Sequence, residues 1–462
     1  MRALVFPVIL VAASAAATVA FAQPALIASA RVDPALHDKA AQTSGLLENG
    51  VPGNVLAGLG SGLAYAGGDR FLALPDRGPN AVPYNNAVDN TTSYIPRFHT
   101  FAMKLAPSSV GLPFVLAPDL LDTTLLSSGS KLAYGDGKAA GLGDGAPSLN
   151  TQARYYFSGR SDNFAPGGNS LSDDNARFDP EGIRLANDGR SVFVSDEYGP
   201  HIYQFDRASG QRVRTIALPE KFAVVIQSAQ GDSVEIAQNT RGRVANKGME
   251  GLAITPDGKT LVGIMQSPLL QDGGTKAAFV RIVTVDIASG ATHEYAYPLT
   301  SVGTAEKPKL TGVSEIVAIN DHEFLVDERD GKGLGDGTPA AFKRLFHIDL
   351  SGAADVSAIE GADALGARAV TKTVFVDLVA VLAAKGIDPA AIPAKIEGLS
   401  FGPDVTVGGH TQHTLWIASD NDFLPTAERP DKTTTENPSV FYVLGFDPAD
   451  LPGYQPQHLP AK

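Results

Sequence analysis

The chain has 462 residues, 37 Lys+Arg against 50 Asp+Glu for a net charge of −13, and no cysteine. Thiolate metal sites, iron–sulfur clusters, cysteine nucleophiles and disulfide scaffolds are thereby excluded, and a chain this acidic without a Lys/Arg run lacks the basic stripe that binds nucleic acid. Hydrophobic content of 44%, with 48 Gly, 31 Pro and only 7% aromatics, describes a large core built from many short elements joined by turns rather than a helical bundle.

Arg2, an apolar run and an Ala/Val-rich stretch closing at Ala20-Phe21-Ala22 have the layout of a cleavable export signal, cut after Ala22. The expected location is therefore periplasmic or secreted, which suits a cysteine-free chain. No later stretch approaches the roughly 20 apolar residues that cross a bilayer. Residues 23–57 follow as a segment that could close the fold, 58–450 hold the repeats described next, and 451–462 form a tail.

The repeated pattern is a short strand opening with Glu-Gly-apolar, a turn, and an apolar strand ending in Asp. Its first and weakest copy has Ser61-Gly62-Leu63 and ends at Asp76-Arg77, with Ser61 where the others have Glu. Residues 119–162, rich in Gly, Ser and Asp, read as a surface-loop insertion. The second copy runs from Glu181-Gly182-Ile183 through Asn187-Asp188-Gly189 to Asp196-Glu197, and the third from Glu250-Gly251-Leu252 through Pro256-Asp257-Gly258. The fourth has Glu315-Ile316 and Asp327-Glu328-Arg329; the fifth has Glu397-Gly398-Leu399 and Asp420-Asn421-Asp422. Between them, residues 374–385 have a helical period and predict one short helix.

Asp-Gly between apolar runs is a hairpin signal, because both residues tolerate the positive φ of a tight turn. Two further strands follow some copies, as at 202–206 and 213–218 or 279–286 and 293–297. Four antiparallel strands per repeat, arranged radially, make an all-β fold, a β-propeller. Five blades are visible, and the 120 residues between Ser61 and Glu181 leave room for a sixth.

The motifs Asp179-Pro180-Glu181-Gly182, Ser195-Asp196-Glu197, Lys247-Gly248-Met249-Glu250-Gly251-Leu252, Asp327-Glu328-Arg329-Asp330 and Ile396-Glu397-Gly398-Leu399 together resemble the phytase-like domain of exported bacterial proteins, the family labelled "esterase-like activity of phytase". The likeness extends over about 58–446. It implies a β-propeller and a phosphoester or ester hydrolase, and carries over no catalytic residue.

The first strand of a blade lines the central channel, and the second returns antiparallel, so its end lies beside the first strand's beginning. Glu181, Glu250, Glu315 and Glu397 should therefore form a ring with Ser61, surrounded by Asp76, Asp196, Asp327, Asp420 and Asp422. Two carboxylates about 6 Å apart repel by roughly 3 kcal/mol at an effective dielectric near 20. A bound cation, raised pKa values or the nearby Arg77, Arg177, Arg184, Lys247, Arg329 and Lys395 must compensate. Oxygen ligands suit Ca²⁺, with Ser61, Asp76, Glu181, Glu250, Glu315, Asp327, Glu397 and Asp420 as the ligand set; the other reading is that these glutamates cap backbone amides or pair with Arg and Lys between blades.

If the face is catalytic, Asp196 or Glu197 would take the proton from water, while Arg77 and Arg329, placed at the rim, would stabilise developing charge on a small, possibly phosphorylated substrate. Other motifs carry less. Gly398-Leu399-Ser400-Phe401-Gly402 matches the esterase pattern but lies in a strand that ends in a hairpin turn, not at a strand-to-helix elbow. His410-Thr411-Gln412-His413 reads as surface loop, the segment after Asp330 as a rim loop without EF-hand spacing, and Trp416 as packing. Two functions remain: an exported phosphoester or ester hydrolase with Ca²⁺ at an acidic face, or a non-catalytic propeller whose ion is structural and whose face binds a ligand or partner.

Overall fold

The apolar runs between tight turns each pair with the next, and in every repeat the result is an antiparallel sheet of four principal strands. The computed structural model describes residues 24–81, 91–135, 145–164, 168–304 and 306–460; the leader expected over 1–22 lies outside them. Blade 1 contains Gly62–Tyr65, Arg70–Leu74, Arg97–Pro107 and Phe114–Leu125, and blade 2 contains Pro180–Leu185, Ser191–Asp196, His201–Asp206 and Gln211–Ala217. Blade 3 follows with Met249–Ile254, Thr260–Met265, Phe279–Asp286 and Thr292–Pro298, and blade 4 with Gly312–Ala318, Glu323–Arg329, Lys343–Asp349 and Lys372–Asp377. Blade 5 takes Lys395–Phe401, His410–Asp420 and Ser439–Phe446 from the C-terminal part, and Ala25–Val32 from the N-terminal part.

The five inner strands touch their neighbours all the way round, blade 5 against blade 1 included. The strand Ala25–Val32, the first among the described residues, therefore completes the last blade and locks the ring with main-chain hydrogen bonds from Ala25↔Gly445 to Val32↔Ser439. The Asp-Gly turns form as expected, with Gly189 at φ 69°. Cores lie between blades: Phe178, Ile183 and Val194 of blade 2 pack with Leu72 and Leu74 of blade 1, and Leu399 and Ile417 of blade 5 pack with Leu325 and Leu345 of blade 4. Burying each such side chain contributes about 1.5–3 kcal/mol.

Five blades form, and the room before Glu181 holds no sixth among the described residues. Two expectations are corrected, the loop over 119–162 and the extent of the helix over 374–385. Asp119 lies in the outer strand Phe114–Leu125, while Ser127–Ser128 and Tyr155–Tyr156 extend the edge of blade 2. Arg160 and Asp162 are buried and paired, Nε to Oδ1 3.1 Å. The helix expected over 374–385 begins only at Leu378, as Leu378–Ala383 capped by Asp377, because the β-branched and aromatic run Thr373-Val374-Phe375-Val376 is taken as the outer strand of blade 4.

The tail crosses the turns at the far ends of the inner strands. Tyr454 packs on Phe401 of blade 5, ring centroids 4.4 Å apart, and Gln455 N donates to Ile319 O of blade 4 at 2.8 Å. His458 N then donates to Pro256 O of blade 3, 3.2 Å, and Gln457 Nε2 to Leu185 O and Asn187 Oδ1 of blade 2, both 2.7 Å.

Candidate metal centre

Each inner strand of blades 2 to 5 is bulged at its beginning. The pairing steps from Pro180↔Asp196 to Ile183↔Val194, from Met249↔Met265 to Gly251↔Ile264, from Val313↔Glu328 to Glu315↔Asp327, and from Ile396↔Ser419 to Gly398↔Ala418. A bulge leaves one residue unpaired and re-aims its side chain. The bulged residues are Glu181, Glu250, Ser314 and Glu397, and Gly62↔Leu74 puts Ser61 at the corresponding place in blade 1.

Glu315 thus falls one position off the expected ring, in the column occupied elsewhere by Gly62, Gly182, Gly251 and Gly398. Neighbouring inner strands meet there: a Cβ on Gly182 would lie 2.6 Å from Leu252 Cβ, and one on Gly251 2.8 Å from Glu315 Cα. The Glu315 carboxylate accepts from Leu252 N and Ile316 N, 2.9 Å each, and pairs with Arg184 at 2.9 Å. At this position the amide-capping reading holds, and Glu315 is not an available ion ligand.

Strand two shows the same dependence on parity, since adjacent residues point to opposite faces. The residues beside the ring are Asp76, Glu197, Gln266, Arg329 and Asp420. Asp196 points the other way, and its Oδ1 accepts from Asp179 N at 3.2 Å and Tyr198 N at 3.1 Å; burial pushes it up to about 8. It is a backbone brace and not positioned as the base. Asp327 shares the face of Arg329 one layer deeper, fully buried, with neither oxygen hydrogen-bonded. Burial raises its carboxyl well above the usual range.

Most of the ring's charge is matched from within the protein. Arg329 donates from Nε to Ser314 Oγ at 2.8 Å and pairs with Glu397. Lys395 Nζ lies 2.9 Å from Asp420 Oδ2 and 2.5 Å from Asp422 Oδ1. Gln266 Nε2 donates to Glu250 Oε1 at 2.6 Å, its orientation set by Lys247 Nζ on Oε1 at 3.0 Å. Glu250 Oε2 is left without a hydrogen-bond partner, and burial followed by Glu397 pushes this carboxyl up to about 8. Asp76 Oδ1 accepts from Gly78 N at 2.8 Å, and burial, then Asp420, raises it.

Blade 2 is the exception. Asp179, Glu181 and Glu197, all buried, bring one carboxylate oxygen each within 4.8 Å of one another. Arg77 Nη1 faces them, 2.6 Å from Asp179 Oδ2 and 3.8 Å from Glu197 Oε2, and Gly248 N donates to Glu197 Oε1 at 3.1 Å. Burial pushes Glu181 and Glu197 well above the usual carboxylate range, reinforced first by Glu250 for Glu181 and by Asp179 for Glu197. Calcium–oxygen distances of about 2.3–2.6 Å place opposed ligands about 4.6–5.2 Å apart, so this donor set fits a hard divalent ion.

Of the residues expected to hold the ion, Glu181 alone belongs to this cluster; Glu197, expected as a proton acceptor, is its second member. Asp179 was missed, although it lies two residues before Glu181. Arg77 and Arg329 point inward to ring acids instead of standing at the rim. His413 pairs with Asp404, Nδ1 to Oδ1 2.7 Å, on a surface hairpin, and Ser400 Oγ receives Tyr65 N at 2.9 Å within the inner strand. Past Asp330 the rim loop wraps the buried Lys343, whose Nζ donates to Asp330 O and Lys332 O, 2.8 Å each. Trp416 is buried against Phe71, ring centroids 4.3 Å apart.

Fold and site together define a five-bladed propeller with an acid-lined channel mouth. The chain belongs to the phytase-like family, "esterase-like activity of phytase", whose model matches residues 55–423. It is 35% identical over 188 residues to an uncharacterized secreted protein of Arthroderma benhamiae, an alignment covering 36% of each chain, so it spans about a third of that relative. Among solved structures, the periplasmic gluconolactonase of Pseudomonas aeruginosa is similar at 12% identity over 85% of this chain and 90% of that one, with TM-score 0.32. Hydrazine synthase of Kuenenia stuttgartiensis is similar at 12% identity over 79% and 78%, TM-score 0.32. No helix among the described residues is long and apolar enough to cross a membrane.

Proposed function

We propose that this protein is an exported hydrolase of phosphoester or carboxylic-ester bonds, lactones included, that works at the carboxylate mouth of its channel with Ca²⁺ held by Asp179, Glu181 and Glu197. The observation that carries the reading is the charge deficit of blade 2, where three buried acids face Arg77. Family membership supports hydrolysis, and the secreted relative supports export. When bound, the ion supplies Lewis acidity toward a phosphoryl or carbonyl oxygen.

The protein's own residues then divide the remaining work. Arg77 and Arg329 hold the ring acids in place. Glu250, with one oxygen fixed by Gln266 and the other unpartnered, has the pKa of a group that takes and returns a proton near neutrality. The acidic mouth disfavours a highly phosphorylated substrate unless it arrives as a metal complex.

The test is turnover of generic phosphomonoester, phosphodiester, carboxylester and lactone substrates by purified protein, with Ca²⁺ and with chelator. Calcium-dependent hydrolysis of one class is expected. No turnover of any class, with melting still shifted by chelator, overturns the hydrolase and leaves a propeller with a structural ion.

A further inference from the structure

Blades 2 and 5 present the same three positions. In blade 2, Glu197 N donates to Asp179 O at 2.8 Å, pairing these two residues; in blade 5, Lys395 pairs with Asp420 in the same register. Each inner strand is then bulged two residues on, at Glu181 and at Glu397. Asp179, Glu181 and Glu197 therefore recur as Lys395, Glu397 and Asp420, and the acid that opens the blade-2 set is a lysine in blade 5.

That lysine behaves as a bound cation does. Its ammonium nitrogen lies 2.9 Å from Asp420 Oδ2 and 2.5 Å from Asp422 Oδ1, and Glu397 and Asp76 lie within its electrostatic reach. Arg329 takes Glu397 from the neighbouring blade. The corresponding places in blade 3, Gly248, Glu250 and Gln266, hold one carboxylate, and those in blade 4, Gly312, Ser314 and Arg329, hold none.

We infer that Lys395 is a built-in cation that fills, in blade 5, the place a divalent ion takes in blade 2, so that the ring accepts one ion and accepts it only on blade 2. This rests on the blade-2 reading above, but the two fail separately. Full-length protein is titrated with Ca²⁺ by calorimetry and with terbium by luminescence. Wild type is expected to bind one ion, Glu197→Gln none, and Lys395→Asp two.

One ion on both wild type and Lys395→Asp overturns the inference and leaves the blade-2 site standing. No ion on wild type with one on Lys395→Asp overturns the blade-2 site and supports the role of Lys395. If Lys395→Asp folds only in Ca²⁺, two ions in that form support the inference. If it folds at no Ca²⁺ concentration, Lys395→Gln decides, a second and weaker ion supporting the inference and a single ion overturning it.

Discussion

Arg184 of blade 2 reaches Glu315 of blade 4 across the channel, Nη2 to Oε2 2.9 Å, with the whole of blade 3 between them in the ring. The same guanidinium donates to Leu63 O of blade 1 at 2.8 Å and Ile316 O of blade 4 at 2.9 Å. One buried side chain thus ties together strands that are not neighbours. Removing one partner leaves an uncompensated buried charge, which destabilises by about 3–5 kcal/mol. Arg184→Ala should lower the urea midpoint accordingly, and Glu315→Gln, which keeps an acceptor for Leu252 N, should lower it in the same direction; a midpoint unmoved by Glu315→Gln would show that the ion pair is not the source.

The pH dependence of the metal-free protein has a definite sign. Asp420 is raised from 3.8 to about 6, Asp196 from 3.8 to about 8 and Glu250 from 4.5 to about 8, in each case chiefly by burial. A folded pKa above the unfolded value means that the fold binds the proton more tightly. The stability so gained is fully present below about pH 4 and is lost as pH rises through 6 to 8. Metal-free protein should therefore melt at a lower temperature at pH 8 than at pH 5.5. Burial also raises Glu181 and Glu197, which must give up their protons to bind calcium, so the stabilising increment from Ca²⁺ should grow as pH rises, as scanning calorimetry at both pH values with and without Ca²⁺ would show.

Glu181 is buried against Glu250, Asp179, Glu197 and Asp76, whose charges add to burial in raising its carboxyl. Glu181→Gln removes one of the blade-2 charges, and the metal-free fold should gain about 1–3 kcal/mol from relieved repulsion. The same variant should lose the Ca²⁺-dependent rise in melting temperature. A variant that keeps the calcium response would show that the ion binds elsewhere.

The glycine column next to the ring sets how closely the blades approach. A Cβ at Gly182 meets Leu252 Cβ at 2.6 Å, while at Gly398 the nearest atom, Gly60 O, is 3.0 Å away. Gly182→Ala should destabilise by about 1–3 kcal/mol and Gly398→Ala by less, a ranking readable from denaturant midpoints.

Ending the chain after Pro452 removes the strap over the turns of blades 5, 4, 3 and 2. The four hydrogen bonds, at about 0.5–1.5 kcal/mol each, amount to about 2–6 kcal/mol, to which the packing of Tyr454 on Phe401 adds. Thermal stability should fall while calcium stoichiometry stays at one, because the strap and the acid ring lie at opposite ends of the inner strands. A change in stoichiometry would contradict that separation.

Much of this architecture is written in the local sequence. Turn glycines such as Gly189, the alternation of apolar residues and the recurring Glu-Gly pair specify five hairpins and leave a sixth blade open, because each needs only neighbouring residues. The absence of cysteine likewise excludes thiolate ligands for any ion. Which acids share a place was decided by the tertiary structure. The bulge at Ser314 inserts one residue and puts Glu315 one position off the ring, while the alternation of side chains along the second strands turns Asp196 away from the ring and puts Asp327 below it. Compensating charges also come from other blades, Arg329 to Glu397 and Arg77 to Asp179, at separations no local pattern encodes. Asp179 and Lys395 stand at the same register position, and only the folded ring shows that one joins a cluster of three buried carboxylates while the other pairs with Asp420 and Asp422.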